Sequence, residues 1–400
     1  MATVIYNGTV LTPFREIRNG GIVVDQGKII EVFEGNPNVD VSGSTRIDAG
    51  EAYIAPGFVD IHVHGGGGIE TTAATPDSIA TMCEAHARYG TTAIVPTVSS
   101  SPWDLVYRVI DAVKEAKGKP YRGATILGVH LEGPYFSEAQ KGSQNSDFLK
   151  IPDPSEYRDV LEYWDGIVMM GASPELPGAL QLGRELRERG IVAAIAHSDA
   201  NFDQVVKAVE NGYSHITHFY SGCSSVHREN AYRVAGVVEA GYLMDDVTVE
   251  VIADGRHLPP SLLKLIFKVK GYNNTALVTD GMAYSGVEMP EQQEVISGDG
   301  RKLILEDQVM KLADRTSFAG SVATMDRLVR NMRDLAGTTL LQAVHMATIT
   351  PARVVGVDDQ KGTLSPGKDA DIVIFDSALH VKLTMVEGEV VHATTGGFEC

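Results

Sequence analysis

Positive charge is what this 400-residue sequence has least of: 34 Lys and Arg stand against 52 Asp and Glu, a net charge of -18 with histidine neutral. Nucleic acid and anionic membranes are bound through a positive surface, so neither is expected as a partner, although a local basic pocket stays open. Cysteine is scarce as well. Cys83, Cys223 and Cys400 have no metal-ligand or disulfide-framework spacing, and their odd number suits a reducing compartment. No apolar run reaches the roughly 18 residues of a membrane-spanning helix, and no basic-then-apolar stretch opens the chain. The expected location is cytoplasmic. The remaining make-up, 44% hydrophobic and 22% charged, is that of a globular protein with a large core.

Against these absences stands one dense stretch, Ala55-Pro56-Gly57-Phe58-Val59-Asp60-Ile61-His62-Val63-His64-Gly65-Gly66-Gly67-Gly68. Side chains alternate along a strand, so His62 and His64 project from the same face and can reach one metal ion together. The four glycines can turn the backbone away at angles other residues resist, leaving open space over the histidines.

The 55 residues up to this stretch read as short strands and turns: 3–6, 21–24, 28–33 and 52–54. The C-terminus repeats the style at 370–375, 381–386 and 389–392. Neither end has enough alternating strand to bury a face alone, so residues 1–55 and 360–400 are expected to combine in one small β-sandwich domain. Between them, 56–359, the pattern becomes strand then helix. Strands are expected at 61–64, 92–97, 125–132, 167–172, 192–197, 215–220, 248–253 and 275–280. Phe202, Val205, Val206 and Val209, stopped at Gly212, show the spacing of a helix packed on a sheet. Eight such units point to an α/β fold, a (β/α)8 TIM-type barrel. A doubly wound open sheet is the alternative, weakened because no Gly-x-Gly-x-x-Gly opens a helix.

Catalytic groups of such barrels sit at the C-terminal ends of the strands. Here those ends carry His62-x-His64, His130-Leu131-Glu132, His197-Ser198, His215-Ile216-Thr217-His218 and Thr279-Asp280. A single buried histidine is usually satisfied by a backbone partner, but five strand ends on one face favour a metal site. Imidazole and carboxylate are ligands of zinc or iron, and three protein ligands leave a position for water.

These residues, with Ala196-His197-Ser198, Ile252-Ala253-Asp254-Gly255-Arg256-His257 and Ala319-Gly320-Ser321, resemble the N-acetylglucosamine-6-phosphate deacetylases of the amidohydrolase superfamily over nearly the whole chain. The resemblance implies that Glu132, His197 and His218 bind the main divalent metal, zinc or iron, with His62 and His64 available for a second. It implies that Asp280 is the general base and acid, and that Arg228 and His257 hold substrate phosphate, partly across a homodimer interface. The reaction implied is removal of acetate from an N-acetylated amino sugar 6-phosphate, by water that the metal acidifies.

The chain also departs from that family. A Lys-Gly-x-His stretch becomes Lys141-Gly142-Ser143-Gln144, and Gln144 can donate a hydrogen bond but carry no charge. An Asn-Ala-Met segment after the last histidine becomes Ser221-Gly222-Cys223. Both changes fall on residues expected to touch substrate, so N-acetylgalactosamine 6-phosphate or another N-acyl compound stays open beside N-acetylglucosamine 6-phosphate. A cyclic-amide hydrolase of dihydroorotase type would carry a bridging lysine at the end of strand four, where Ile167 to Ser173 has none. A non-catalytic binding or assembly protein on the same fold would be expected to have lost ligands, and this chain keeps them.

Overall fold

The barrel strands observed are Phe58–Val63, Thr91–Ser99, Val129–Tyr135, Ile167–Ala172, Val192–Ile195, Tyr213–Ile216, Thr248–Val251 and Thr275–Leu277. They come from a computed structural model that describes residues 2–298 and 300–394, so Cys400 lies outside the described residues. Each strand pairs in parallel with the next. A parallel bridge from Val63 to Gly281 joins the eighth unit back to the first, with Asp280 N–H donating to His62 O at 2.9 Å and His64 N–H to Gly281 O at 2.8 Å. A sheet that closes on itself is the expected barrel and rules out the open doubly wound alternative.

Helices cover the outside for the reasons the sequence contains. Phe202–Glu210 is started by Asn201, whose side chain accepts from Gln204 N–H, and it buries Val205 and Ala208 against the barrel. Several strands stop earlier than expected, and the cause is local. His197, His218 and Asp280 take positive φ values of 46°, 27° and 45°, which no extended strand can continue through. The third strand is interrupted as well: Thr125–Ile126 forms its own short pairing, and the barrel strand begins only at Val129. At the break, a Cβ on Gly128 would meet the Gly166 carbonyl oxygen at 2.3 Å, so the two backbones approach as only glycine allows.

The chain ends do come together. Thr3–Leu11, Glu16–Asp25, Lys28–Glu34, Thr45–Asp48 and Tyr53–Pro56 join Ile372–Phe375, Val381–Val386 and Glu389–Ala393. They are hydrogen-bonded as one eight-stranded sheet, stitched by the antiparallel pairing of Tyr53–Pro56 with Ile372–Phe375. Residues from both ends, among them Ile5, Ile22, Ile54, Ile372 and Leu383, make a core separate from that of the barrel. One feature was not expected. After the eighth strand, Glu294–Ile296, Lys302–Glu306 and Val309–Leu312 form a three-stranded antiparallel sheet that stands at the mouth of the barrel. Among the described residues, no helix is long and apolar enough to cross a membrane.

Candidate active site

The strand ends converge on a cavity of 580 Å³. Its floor is a set of side chains that sequence alone placed at different strands. His197 Nε2 and His218 Nε2 each lie 3.1 Å from Glu132 Oε1 and 3.2 Å from one another. His62 Nε2 and His64 Nε2 are 3.1 Å apart, and His64 Nε2 is 3.4 Å from Glu132 Oε2. Glu132 therefore belongs to two triads, one with His197 and His218 and one with His62 and His64, each with its ligand atoms within 4.8 Å of one another.

The outer atoms of these rings say which nitrogen faces inward. His197 Nδ1 is 2.9 Å from the Gln140 carbonyl, His218 Nδ1 is 2.9 Å from the Ser221 carbonyl, and His62 Nδ1 is 2.8 Å from Glu250 Oε2. A carbonyl or carboxylate oxygen accepts, so each Nδ1 carries the hydrogen and each Nε2 presents its lone pair to Glu132. Lone pairs that converge on a carboxylate repel unless a cation lies between them. The donor set therefore fits a divalent transition metal. Protons compete with such a cation for the same Nε2 positions: although burial opposes the charged form, the carboxylates Asp280 and Glu132 push His64 up to about 10, and chiefly Glu132 pushes His218 up to about 9. Burial also acts against the Glu132 carboxylate, yet in that protonated form hydrogen bonds from His197, His218 and His64 hold it well below the usual range.

Asp280 stands over this floor, its Oδ1 3.3 Å from His64 Nε2 and 3.6 Å from His62 Nε2. It is anchored by its neighbours. Thr279 donates its hydroxyl to Asp60 Oδ2 at 2.6 Å, tying the eighth strand to the first, and Ser321 N–H donates to the Asp280 carbonyl at 2.8 Å. The positive φ values of His197, His218 and Asp280 cost roughly 1–2 kcal/mol each, strain that the packing around the site has to hold.

Of the remaining expected residues, Gln144, Ser221, Gly222 and His257 line the cavity. Gln144 bridges Ser100 N–H and Glu132 Oε2, at 3.0 and 2.7 Å. His257 Nδ1 pairs with Asp254 Oδ2 at 2.8 Å, and its ring packs on Phe318 with centroids 4.6 Å apart. Arg228 does not join them. It lies on an exposed antiparallel hairpin, His227–Glu229 with Tyr232–Val234, outside the lining of this chain's cavity. His130 packs beside His62, ring centroids 4.8 Å apart, and burial pushes it down to about 3, so it stays neutral behind the site.

Sequence reasoning missed Glu250 and the basic wall. Glu250 is wholly buried and holds His62 Nδ1, His215 Nε2 at 3.1 Å and His218 N–H at 3.0 Å. Its signal was a lone carboxylate between Val249 and Val251 in a buried strand. Arg301, Lys311 and Arg315, from the unexpected three-stranded sheet and its exit, face the cavity from above. Lys311 and Arg315 are also paired with Glu306, at 2.9 and 3.2 Å.

The Amidohydrolase family matches residues 53–391. N-acetylglucosamine-6-phosphate deacetylase of Vibrio furnissii is 34% identical over 90% of this chain and 87% of its own, and N-acetylgalactosamine-6-phosphate deacetylase of Escherichia coli O157:H7 is 31% identical over 84% and 87%. Among solved structures, N-acetylglucosamine-6-phosphate deacetylase from Pasteurella multocida superposes with a TM-score of 0.91 at 26% identity, covering 98% of this chain and 100% of that one. A mutant of the Mycobacterium smegmatis enzyme in complex with N-acetyl-D-glucosamine-6-phosphate gives 0.88 at 30% identity, covering 98% and 99%. The chain belongs to the amidohydrolase family, and within it to the N-acetylglucosamine-6-phosphate deacetylases.

Proposed function

We propose that this chain removes acetate from an N-acetylated amino sugar 6-phosphate, first of all N-acetylglucosamine 6-phosphate, leaving glucosamine 6-phosphate. The observation that carries the reading is Asp280, whose carboxylate overhangs the Glu132, His197 and His218 group at 3.3 Å from His64 on the cavity floor. Glu132, His197 and His218 would hold a zinc or iron ion, and His62 and His64 with Glu132 a second, so that one or two are carried per subunit. Such an ion, when bound, polarises the amide oxygen and lowers the pKa of water.

The chain's own groups do the rest. Asp280 accepts a proton from the water as its oxygen bonds to the acetyl carbon, then delivers that proton to the amide nitrogen as the carbon–nitrogen bond breaks. Ser221 and Gly222 border the sugar, and His257 faces its phosphate. Arg228 would reach a cavity only from a second copy of the chain, so a homodimer belongs to the same proposal, as do a cytoplasmic location and the division into 1–55 with 360–400 and 56–359.

The galacto epimer is the second reading, taken from the name of the Escherichia coli relative. Metal-loaded protein assayed for acetate release against both N-acetylhexosamine 6-phosphates and their unphosphorylated forms tests both. Equal turnover without phosphate would sink the phosphate assignment, and no release from any of them would sink the deacetylase reading.

A further inference from the structure

Gln144 stands where the family has a histidine, yet its side chain is committed at both ends. Its Oε1 accepts the Ser100 backbone N–H at 3.0 Å, and its Nε2 donates to Glu132 Oε2 at 2.7 Å. A backbone N–H can only donate, so Ser100 decides which end of the amide is oxygen and aims the NH2 at the carboxylate. Ser100 is itself buried, immediately after the second barrel strand, which makes the anchor a rigid one. On the other side, Gln144 N–H donates to the Lys141 carbonyl at 2.9 Å, closing a turn that holds the residue in place.

Glu132 is divided by this contact. Its Oε1 meets His197 and His218, both at 3.1 Å, while its Oε2 meets Gln144 and, at 3.4 Å, His64. The terminal torsion of a glutamate is broad and swings easily, and one short hydrogen bond to a fixed donor removes that freedom. The donor is also a neutral amide, so the bond keeps its sense across the pH range in which a histidine would change charge.

Resting on the reading that Glu132 is a metal ligand, we infer that Gln144 is a positioning residue for Glu132. It spans from the end of the second strand to the carboxylate, keeps Oε1 turned to His197 and His218, and takes up part of Oε2's capacity to serve an ion at His62 and His64. The ion at Glu132, His197 and His218 is then the tighter one. Loss of a hydrogen-bond partner behind a ligand costs metal affinity, whereas loss of a substrate contact costs KM, and the two effects can be measured apart.

The test is a zinc titration of metal-free protein against a competing chelator, for the parent chain and for Gln144→Met, which keeps the length and removes the donor. The tightest zinc constant is expected to weaken about 10- to 100-fold, and this constant, not KM, is the readout. Gln144→Ala is read in the same way if circular dichroism shows Gln144→Met misfolded. A variant that binds zinc as tightly as the parent, whatever happens to KM, overturns the inference. A parent chain that takes up no zinc fails the metal reading itself, and so separates the two.

Discussion

His62 Nδ1 and Glu250 Oε2 lie 2.8 Å apart with both side chains fully buried, and this contact decides which nitrogen of His62 looks into the cavity. The same Oε2 accepts the His218 backbone N–H at 3.0 Å, so one carboxylate oxygen orients a member of each triad. Glu250→Gln puts an NH2 in competition with an acceptor that His62 needs. Metal affinity is expected to fall about 10- to 100-fold, the usual cost of losing a partner behind a ligand. Metal content after dialysis against graded chelator measures it, and unchanged content would mean that His62 is oriented by other contacts.

Asp280 is expected to act through proton transfer and not through the fold. Asp280→Asn should lower turnover by roughly 10²-fold or more while leaving metal content and melting temperature near those of the parent. Steady-state assays with metal analysis of the same sample check this. Near-full turnover would assign the proton to another group.

Gly222 has a φ of +57°, and a Cβ there would come within 2.8 Å of His197 Nδ1 and 3.1 Å of the Gln140 carbonyl, the two atoms of the bond that orients His197. Gly222→Ala is therefore expected to weaken metal binding and turnover together, by about tenfold or more, beyond a strain cost of roughly 1 kcal/mol. Metal titration alongside thermal melting separates the two losses. A variant that melts lower but binds metal normally would leave only the strain.

Away from the site, burial and then the charge of Arg353 push His345 down from 6.5 to about 4, its ring edge-on to Tyr272 at 4.8 Å. Between those two values the unfolded chain takes up a proton that the folded chain refuses. Stability is thus full above the ordinary histidine value and is lost as pH falls toward 4. His345→Gln should flatten that part of the stability curve by on the order of 1–2 kcal/mol, allowing for the residue's partial exposure. Denaturant melts at a series of pH values read it directly. An unaltered slope between pH 6.5 and 4 would remove His345 as the source.

The barrel was legible because its signal is local and repeated. Strand-then-helix alternation needs only neighbours in sequence, as does the spacing of His62 and His64. The places where strands end were misjudged for an equally local reason: His197, His218 and Asp280 sit among strand-forming neighbours, but their backbones turn into the left-handed region. Nothing in residue type announces that for a histidine. The three-stranded sheet at the mouth was not anticipated either, since its strands lie between the eighth barrel strand and its helix, where the alternating pattern predicts only a connection.

What the sequence by itself determined is which chemistry is present: imidazoles and carboxylates placed at successive strand ends, in a chain whose ends pair with each other. A strand's alternation and a barrel's order are enough to put such groups on one rim. Only the tertiary structure decided how they face one another. Glu250 behind His62, Gln144 between Ser100 and Glu132, and Asp60 under Thr279 are contacts across 188, 44, 12 and 219 positions of sequence. Such distances in sequence are spanned by barrel closure and loop packing, and hydrogen-bond direction, which selects the inward nitrogen of each histidine, exists only once both partners are in place.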